Sequence, residues 1–235
     1  MAAVKMPDAP AVEMKNVTKI YGGAVPTPAL NGVSFRIDRG ESVAVVGPSG
    51  SGKSTLLNMI GALDRPTDGQ VFIDGVDIGR LNDDQLAKLR NEHIGFVFQS
   101  YNLIQRMKAV ENVELPLIMK GMDPIGRRRK AIEVCEMIGI KGLAMKKPYQ
   151  VSGGEQQRIA IARSLVTDPS IILADEPTGN LDSKSSKAVI GVLKEINEKK
   201  GKTLIIVTHN MEVAYMTKRI IYIRDGKVEK EETVI

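Results

Sequence analysis

The sequence predicts an α/β fold on a parallel sheet, and three observations predict it. Four short apolar runs, residues 43–46, 94–98, 171–174 and 204–207, are separated by segments long enough for crossover helices. The first run leads into a glycine-rich loop and then a helical pattern, the strand–loop–helix order of a parallel unit. Around these lie candidates for antiparallel strands at 12–18 and 70–73, and a pair, 220–223 and 227–229, joined across Asp225-Gly226, so a β-rich flank is expected.

Composition narrows the class. A chain of 235 residues with 43% hydrophobic and 26% charged residues can bury a core in one generous domain, and collagen-like, mucin-like and disulfide-framework classes drop out. The single cysteine, Cys135, can form neither an internal disulfide nor a zinc cluster and reads as a small apolar helix residue, which fits a reducing cytoplasm. No apolar run approaches the ~18 residues of a membrane span. Residues 1–10 lack the apolar core of a secretory signal and read as a loose tail, leaving 11–235 as the domain. The net charge of +5 permits contact with anionic lipid or nucleic acid and requires neither.

Taking the elements in order, the strand at 43–46 feeds Gly47-Pro48-Ser49-Gly50-Ser51-Gly52-Lys53-Ser54, followed by Thr55 and a helix face of Leu56, Leu57 and Ile60. The glycines let backbone N–H groups converge on phosphate oxygens, and the helix start adds positive potential. Lys53 can reach the terminal phosphates, and Ser54 can offer its hydroxyl to Mg²⁺. A nucleoside triphosphate needs each of these, so nucleotide binding by residues 47–55 is expected. From 110 to 142 helix formers dominate, with Ala131, Val134, Cys135 and Ile138 at spacings of three and four, and a helical insert is expected there. The basic run 127–130 reads as a solvated helix face. No repeat or sustained heptad is present.

Ligands of a parallel sheet bind beyond the carboxyl ends of its strands. Those ends carry the phosphate loop, Gln99, Asp175-Glu176 and Thr208-His209. Asp175 leaves an apolar strand, where a Mg²⁺ partner offsets the cost of its charge. Glu176 points differently and can act on water as a general base, His209 can stabilise the terminal phosphate or the attacking water, and Gln99 can sense the γ-phosphate through Mg²⁺ or water. His93, before a strand, has no such company and reads as structural. Further on, Ser152-Gly153-Gly154 precedes Ile159, Ala162 and Val166 at helical spacing and opens a helix whose free N–H groups make a second anion position.

In this order the phosphate loop, Gln99, Ser152-Gly153-Gly154, Asp175-Glu176, Leu181-Asp182 and His209 resemble the ATPase domain of ABC transporters, over residues 12–229 or so. The resemblance implies a P-loop NTPase core with a parallel sheet, a flanking antiparallel β subdomain and a helical signature-motif subdomain at roughly 100–165. It implies ATP and Mg²⁺ as cofactors, with Ser54, Gln99 and Asp175 toward the metal and Glu176 and His209 as catalytic residues. It also implies a homodimer in the ATP-bound state, each ATP held by one chain's phosphate loop and the other's Ser152, Gly153 and Gly154. Tyr21 would stack on adenine and Asp182 would couple the two sites. Val151 stands where leucine is usual and Glu155 where glutamine is common, and Glu155 brings a negative charge near the phosphate.

The segments 56–67, 101–104 and 111–117 resemble the lipoprotein-release and macrolide-efflux group, with the cell-division member as the nearest competitor. The implied partner is a membrane-spanning permease subunit whose coupling helix enters a groove formed by residues 99–121, which exposure of Leu103, Ile104 and Met107 would favour. The implied location is cytoplasmic, peripheral on the inner face of the membrane, with no direct nucleic-acid binding. A soluble ABC ATPase acting on nucleic acid or ribosomes is the alternative, and a small-molecule kinase leaves Ser152-Gly153-Gly154 and His209 unexplained.

Overall fold

The structure, a computed structural model, describes residues 9–22 and 26–234, so all of the expected tail except Ala9 and Pro10 lies outside the described residues. The chain opens with β1 (Val12–Tyr21) and β2 (Thr27–Ile37), an antiparallel pair that aligns Val12 with Ile37 and Met14 with Phe35. β3 (Ser42–Val46) is buried at all five positions and leads into α1 (Lys53–Ile60). β4 (Asp68–Ile73) and β5 (Val76–Asp77) form a tight hairpin, with Asp74 at φ +49° and Gly75 at φ +83° supplying the left-handed turn.

α2 (Asp83–His93) starts at a capping box of Asn82 and Gln85 and ends where β6 (Ile94–Phe98) begins. Then come α3 (Ala109–Met119), α4 (Pro124–Met137, capped by Asp123 with proline in its first turn) and α5 (Gly153–Leu165). The remaining elements are β7 (Ile171–Asp175), α6 (Ser183–Lys200), β8 (Thr203–Val207), α7 (Met211–Ala214), β9 (Arg219–Arg224) and β10 (Lys227–Thr233).

Two sheets result: a four-stranded antiparallel sheet in the order β2-β1-β4-β5, and a six-stranded sheet in the order β10-β9-β3-β8-β7-β6. In the second, β9, β3, β8, β7 and β6 are parallel and only β10 is reversed. One face of this central sheet packs with α1, α2 and the antiparallel sheet around Val43, Leu56, Ile60, Val71 and Ile205. Its other face packs with α3 to α6 around Val113, Ile159, Ile172, Leu193 and Ile206. Burial on both faces explains why these strands read as unbroken apolar runs.

One placement differs from the sequence expectation. The hairpin at 220–229 is antiparallel but belongs to the central sheet and not to the flank, because β9 pairs in parallel with β3 and buries Ile220, Ile221 and Ile223. β2 and β5 had no sequence counterpart.

At the amino ends of β6 and β7, opposite the functional edge, Asp74 is 1% exposed. It pairs with Arg39 at 2.6 Å and His93 Nδ1 at 2.6 Å and accepts from the Ser170 hydroxyl. Burial by itself would raise its pKa, but the His93 and Ser170 hydrogen bonds and the Arg39 charge outweigh it, so Asp74 lies below the usual carboxylate range. A depressed folded pKa stabilises the protein at pH above the unfolded value of ~3.9, and that contribution disappears as pH falls through the folded value. Asp74→Asn is expected to cost about 2–3 kcal/mol near neutral pH, less than a fully buried pair because Arg39 is partly exposed. Urea unfolding midpoints check this, and the difference between variant and parent should shrink below pH 4 or so.

Candidate nucleotide-binding and hydrolysis site

The loop from Gly47 to Gly52 tolerates no side chain at its ends. A Cβ on Gly47 would lie 2.1 Å from the Ile223 carbonyl oxygen, and one on Gly52, at φ +103°, would lie 2.5 Å from the Ala29 oxygen. Gly52 caps α1 with no side-chain hydrogen bond, so the backbone N–H groups at the helix start face outward with their partial positive charge. Lys53 folds back so that its Nζ donates to the Gly47 and Pro48 carbonyls, each at 2.7 Å. Ser54 and Thr55 follow in the first turn of α1.

β6, β7 and β8 are neighbours in the sheet, so Gln99, Asp175, Glu176, Thr208 and His209 emerge along one edge beside the glycine loop after β3. Asp175 is pushed up in pKa by burial and by the Glu176 charge, with Lys53 opposing. Glu176 takes the left-handed φ of +44°, a conformation costly for a residue with a Cβ. Both its oxygens are engaged from the end of β8. Oε1 accepts the His209 backbone N–H at 2.9 Å and meets His209 Nδ1 at 2.6 Å, while Oε2 accepts the Thr208 hydroxyl at 3.0 Å. The His209 side chain is 74% exposed and that of Glu176 18%, so the imidazole faces outward over a half-buried carboxylate.

Gln99 exchanges two hydrogen bonds with Asn180, from Nε2 to Asn180 Oδ1 at 3.2 Å and from Asn180 Nδ2 to its own carbonyl at 3.1 Å. Ser152 caps α5 in a capping box with Glu155. The Glu155 carboxylate turns back to accept the Ser152 N–H at 2.8 Å and hydroxyl at 3.1 Å, and the backbone bond lowers its pKa. The added negative charge thus sits on Ser152 itself. A Cβ on Gly153 would be 2.9 Å from the Tyr101 hydroxyl, and one on Gly154 would be 3.0 Å from Ser185, which places this helix start against Tyr101 and α6. Asp182 caps α6, accepting from the Lys184 and Ser185 N–H groups at 3.0 and 2.9 Å. Tyr21 ends β1 with its ring exposed under the Lys19 ammonium; its register partner is Thr27, two residues before Ala29, whose carbonyl abuts Gly52.

Three further residues tie these pieces together without a sequence signal. Gln157, fully buried on α5, donates to the Phe98 carbonyl at 3.3 Å and the Pro177 carbonyl at 2.7 Å. It therefore bridges the segments that carry Gln99 and Glu176. Arg163, lowered in pKa by burial, donates to the carbonyls of Tyr101 and Asn102, both in left-handed backbone. Asn180 is the third. Each is recognisable only through partners 20 to 81 residues away.

The three residues whose exposure would favour the expected groove differ among themselves. Leu103 is buried and Met107 half-buried, while Ile104 is exposed. An apolar cavity of about 370 Å³ opens between α2, β6, α3 and α5, lined by Leu63, Ala87, Phe96, Phe98, Pro116 and Met119 among others, the last two named lying within residues 99–121. Among the described residues no helix is long and apolar enough to cross a membrane.

Residues 30–179 match the family model described as ABC transporter. An ABC transporter ATP-binding protein of Methanocaldococcus jannaschii, MJ0796, is 52% identical over 226 residues, covering 94% of this chain and 96% of its own. A macrolide export ATP-binding/permease protein, MacB of Hyphomonas neptunium, is 50% identical over 220 residues, covering 93% of this chain but 34% of that longer protein. A dimeric post-hydrolysis structure of MJ0796 bound to ADP and Pi superposes with a TM-score of 0.87 at 51% identity, over 95% of this chain and 99% of that one. The chain belongs to the ABC transporter family, as an ATP-binding and ATP-hydrolysing subunit.

Proposed function

We propose that two copies of this chain close around two ATP molecules and that the cycle of closure and hydrolysis drives a separate membrane-spanning subunit of the macrolide-export type. The observation that carries the dimer is the separation of the two anion-binding helix starts. Gly52, at the start of α1, lies against Ala29, Leu30 and Gly226, and Gly153 and Gly154, at the start of α5, lie against Tyr101, Leu181 and Ser185. None of those residues touches both helix starts, so a second chain is the natural source of the Ser152-Gly153-Gly154 contact. MJ0796, similar along its whole length, has a dimeric structure with ADP and Pi.

Within each site, residues 47–55 bind the phosphates, Lys53 exchanging its two carbonyl acceptors for phosphate oxygens. Mg²⁺ fits the donors present, all oxygens: the Ser54 hydroxyl, the Gln99 amide and the Asp175 carboxylate, whose pKa is raised by burial and by the neighbouring Glu176 charge. When bound, the ion would neutralise charge on the β- and γ-phosphate oxygens. Glu176, oriented by Thr208 and His209, aligns the attacking water and accepts its proton. His209 uses Nδ1 toward Glu176, which leaves Nε2 for the terminal phosphate. Tyr21 stacks on adenine, and Asp182, at the start of α6, sits where the two halves meet. The cavity lined by Phe96, Phe98 and Met119 is the seat for the permease, because its wall includes β6, the strand that leads into Gln99.

Turnover per chain should depend on protein concentration. Measured over about a hundredfold dilution, specific ATPase activity is expected to rise and then plateau as dimers fill. Constant specific activity from a monomer across that range would contradict the shared site.

A further inference from the structure

The turn joining α3 to α4 is unlike the rest of the surface. Every residue from 118 to 125 is exposed. Four of them are large and apolar: Ile125 at 82%, Met119 at 75%, Ile118 at 45% and Met122 at 37% exposure. Isolated exposed apolar residues need no explanation, but four within eight positions make a patch.

Positive charge surrounds the patch. Residues 118–130 contain five basic side chains, Lys120, Arg127, Arg128, Arg129 and Lys130, against one acidic residue, Asp123. Asp123 spends its carboxylate on the Ile125 and Gly126 N–H groups as the cap of α4. The buried Glu114 carboxylate serves both Arg127 and Arg128, one negative charge for two guanidiniums. Arg129 is 78% exposed with Glu133 only at 3.9 Å, and it lies one turn after Ile125 on the same helix face.

We propose that this α3–α4 tip is a direct contact to the anionic surface of a lipid bilayer. Ile118, Met122 and Ile125 enter the headgroup boundary, while Arg129 and its basic neighbours meet lipid phosphates; Met119, which also lines the cavity, marks the border between the two surfaces. A projecting helix–helix turn needs no matching pocket in its partner, whereas the concave, mostly apolar cavity beside it, with Arg90 and Arg163 in its wall, suits a protein helix. Charge complementarity favours the bilayer here, since nothing in an apolar protein segment would balance this excess of cations. The contact would orient the subunit on the membrane; it borders the proposed permease cavity at Met119 and involves none of the residues proposed for the ATP site.

The test is co-sedimentation of the full-length chain, without nucleotide, with vesicles of phosphatidylcholine alone or with about one third phosphatidylglycerol. Binding is expected only to the anionic vesicles, and ~0.5 M salt should largely abolish it. Ile125→Glu and Arg129→Glu should each lower the partition coefficient about tenfold, while lipid-free ATP turnover stays at the parent level. Lys200→Glu, the same charge change on α6, should lower it far less. Equal binding to neutral vesicles, no binding to either, or an equal loss in Lys200→Glu would overturn the proposal. So would a tip variant that binds vesicles normally yet loses a co-expressed permease, which would assign the tip to protein. None of these outcomes bears on the shared ATP site.

Discussion

Glu176→Gln is expected to lower steady-state ATP turnover by roughly 10²–10³-fold while leaving ATP binding intact. The substitution keeps the shape of the side chain. Its amide oxygen can still accept the His209 N–H, and the Thr208 hydroxyl can rotate to accept from the new amide nitrogen, so the constellation that holds residue 176 at its left-handed φ survives. What disappears is the negative charge and the capacity to take a proton from water. A single-turnover assay with chemical quench reads this directly, and a variant that hydrolyses ATP at the parent rate would remove Glu176 from the catalytic role. Asp175 provides an internal contrast. Its raised pKa comes partly from Glu176, so the same variant should relieve that repulsion and let Asp175 ionise more readily, with no loss of nucleotide affinity.

Gly153→Asp should be almost as damaging for a different reason. The new carboxylate would stand at the start of α5, where the N–H groups and the Ser152 hydroxyl are proposed to meet the partner's γ-phosphate. Like charge at a site built for an anion is strongly unfavourable, and the loss of an oxyanion-type contact costs about 10²–10³ in rate. A Cβ here lies 2.9 Å from the end of the Tyr101 side chain, which can rotate, so the fold should survive. The expected signature is normal ATP affinity with turnover reduced by that factor. Weakened ATP affinity would instead place Gly153 near its own chain's phosphate loop. Glu155 sharpens the expectation, because its carboxylate already accepts from the Ser152 N–H and hydroxyl and must release the hydroxyl before a phosphate can take its place.

The parts of this site legible in the sequence are those where chemistry interrupts a local pattern. Charged or polar residues after buried strands mark Gln99, Asp175, Glu176 and His209, and glycines that break an apolar run mark the phosphate loop. Long-range partnerships leave no such trace. Gln157 on α5 looks like any polar helix residue until the Phe98 and Pro177 carbonyls are seen against it. Asp74-Gly75 forms the turn between β4 and β5, but nothing nearby in the chain announces Arg39, His93 and Ser170. β2 was hidden by Pro28, Asn31 and Gly32, residues that suit the irregular pairing of a twisted edge strand yet read as loop. The β9–β10 hairpin was recognisable as a hairpin, but which sheet receives it depends on β3, some 170 residues earlier in the chain.

The proposed sharing of each site between two chains is tested most directly by the apparent mass of Glu176→Gln in sedimentation. With ATP the variant should sediment at twice the chain mass, and without nucleotide at the mass of one chain. The double variant Glu176→Gln, Gly153→Asp should bind ATP and stay single. A monomer under all conditions despite measured ATP binding, or a dimer that forms equally well with Gly153→Asp, would contradict the account.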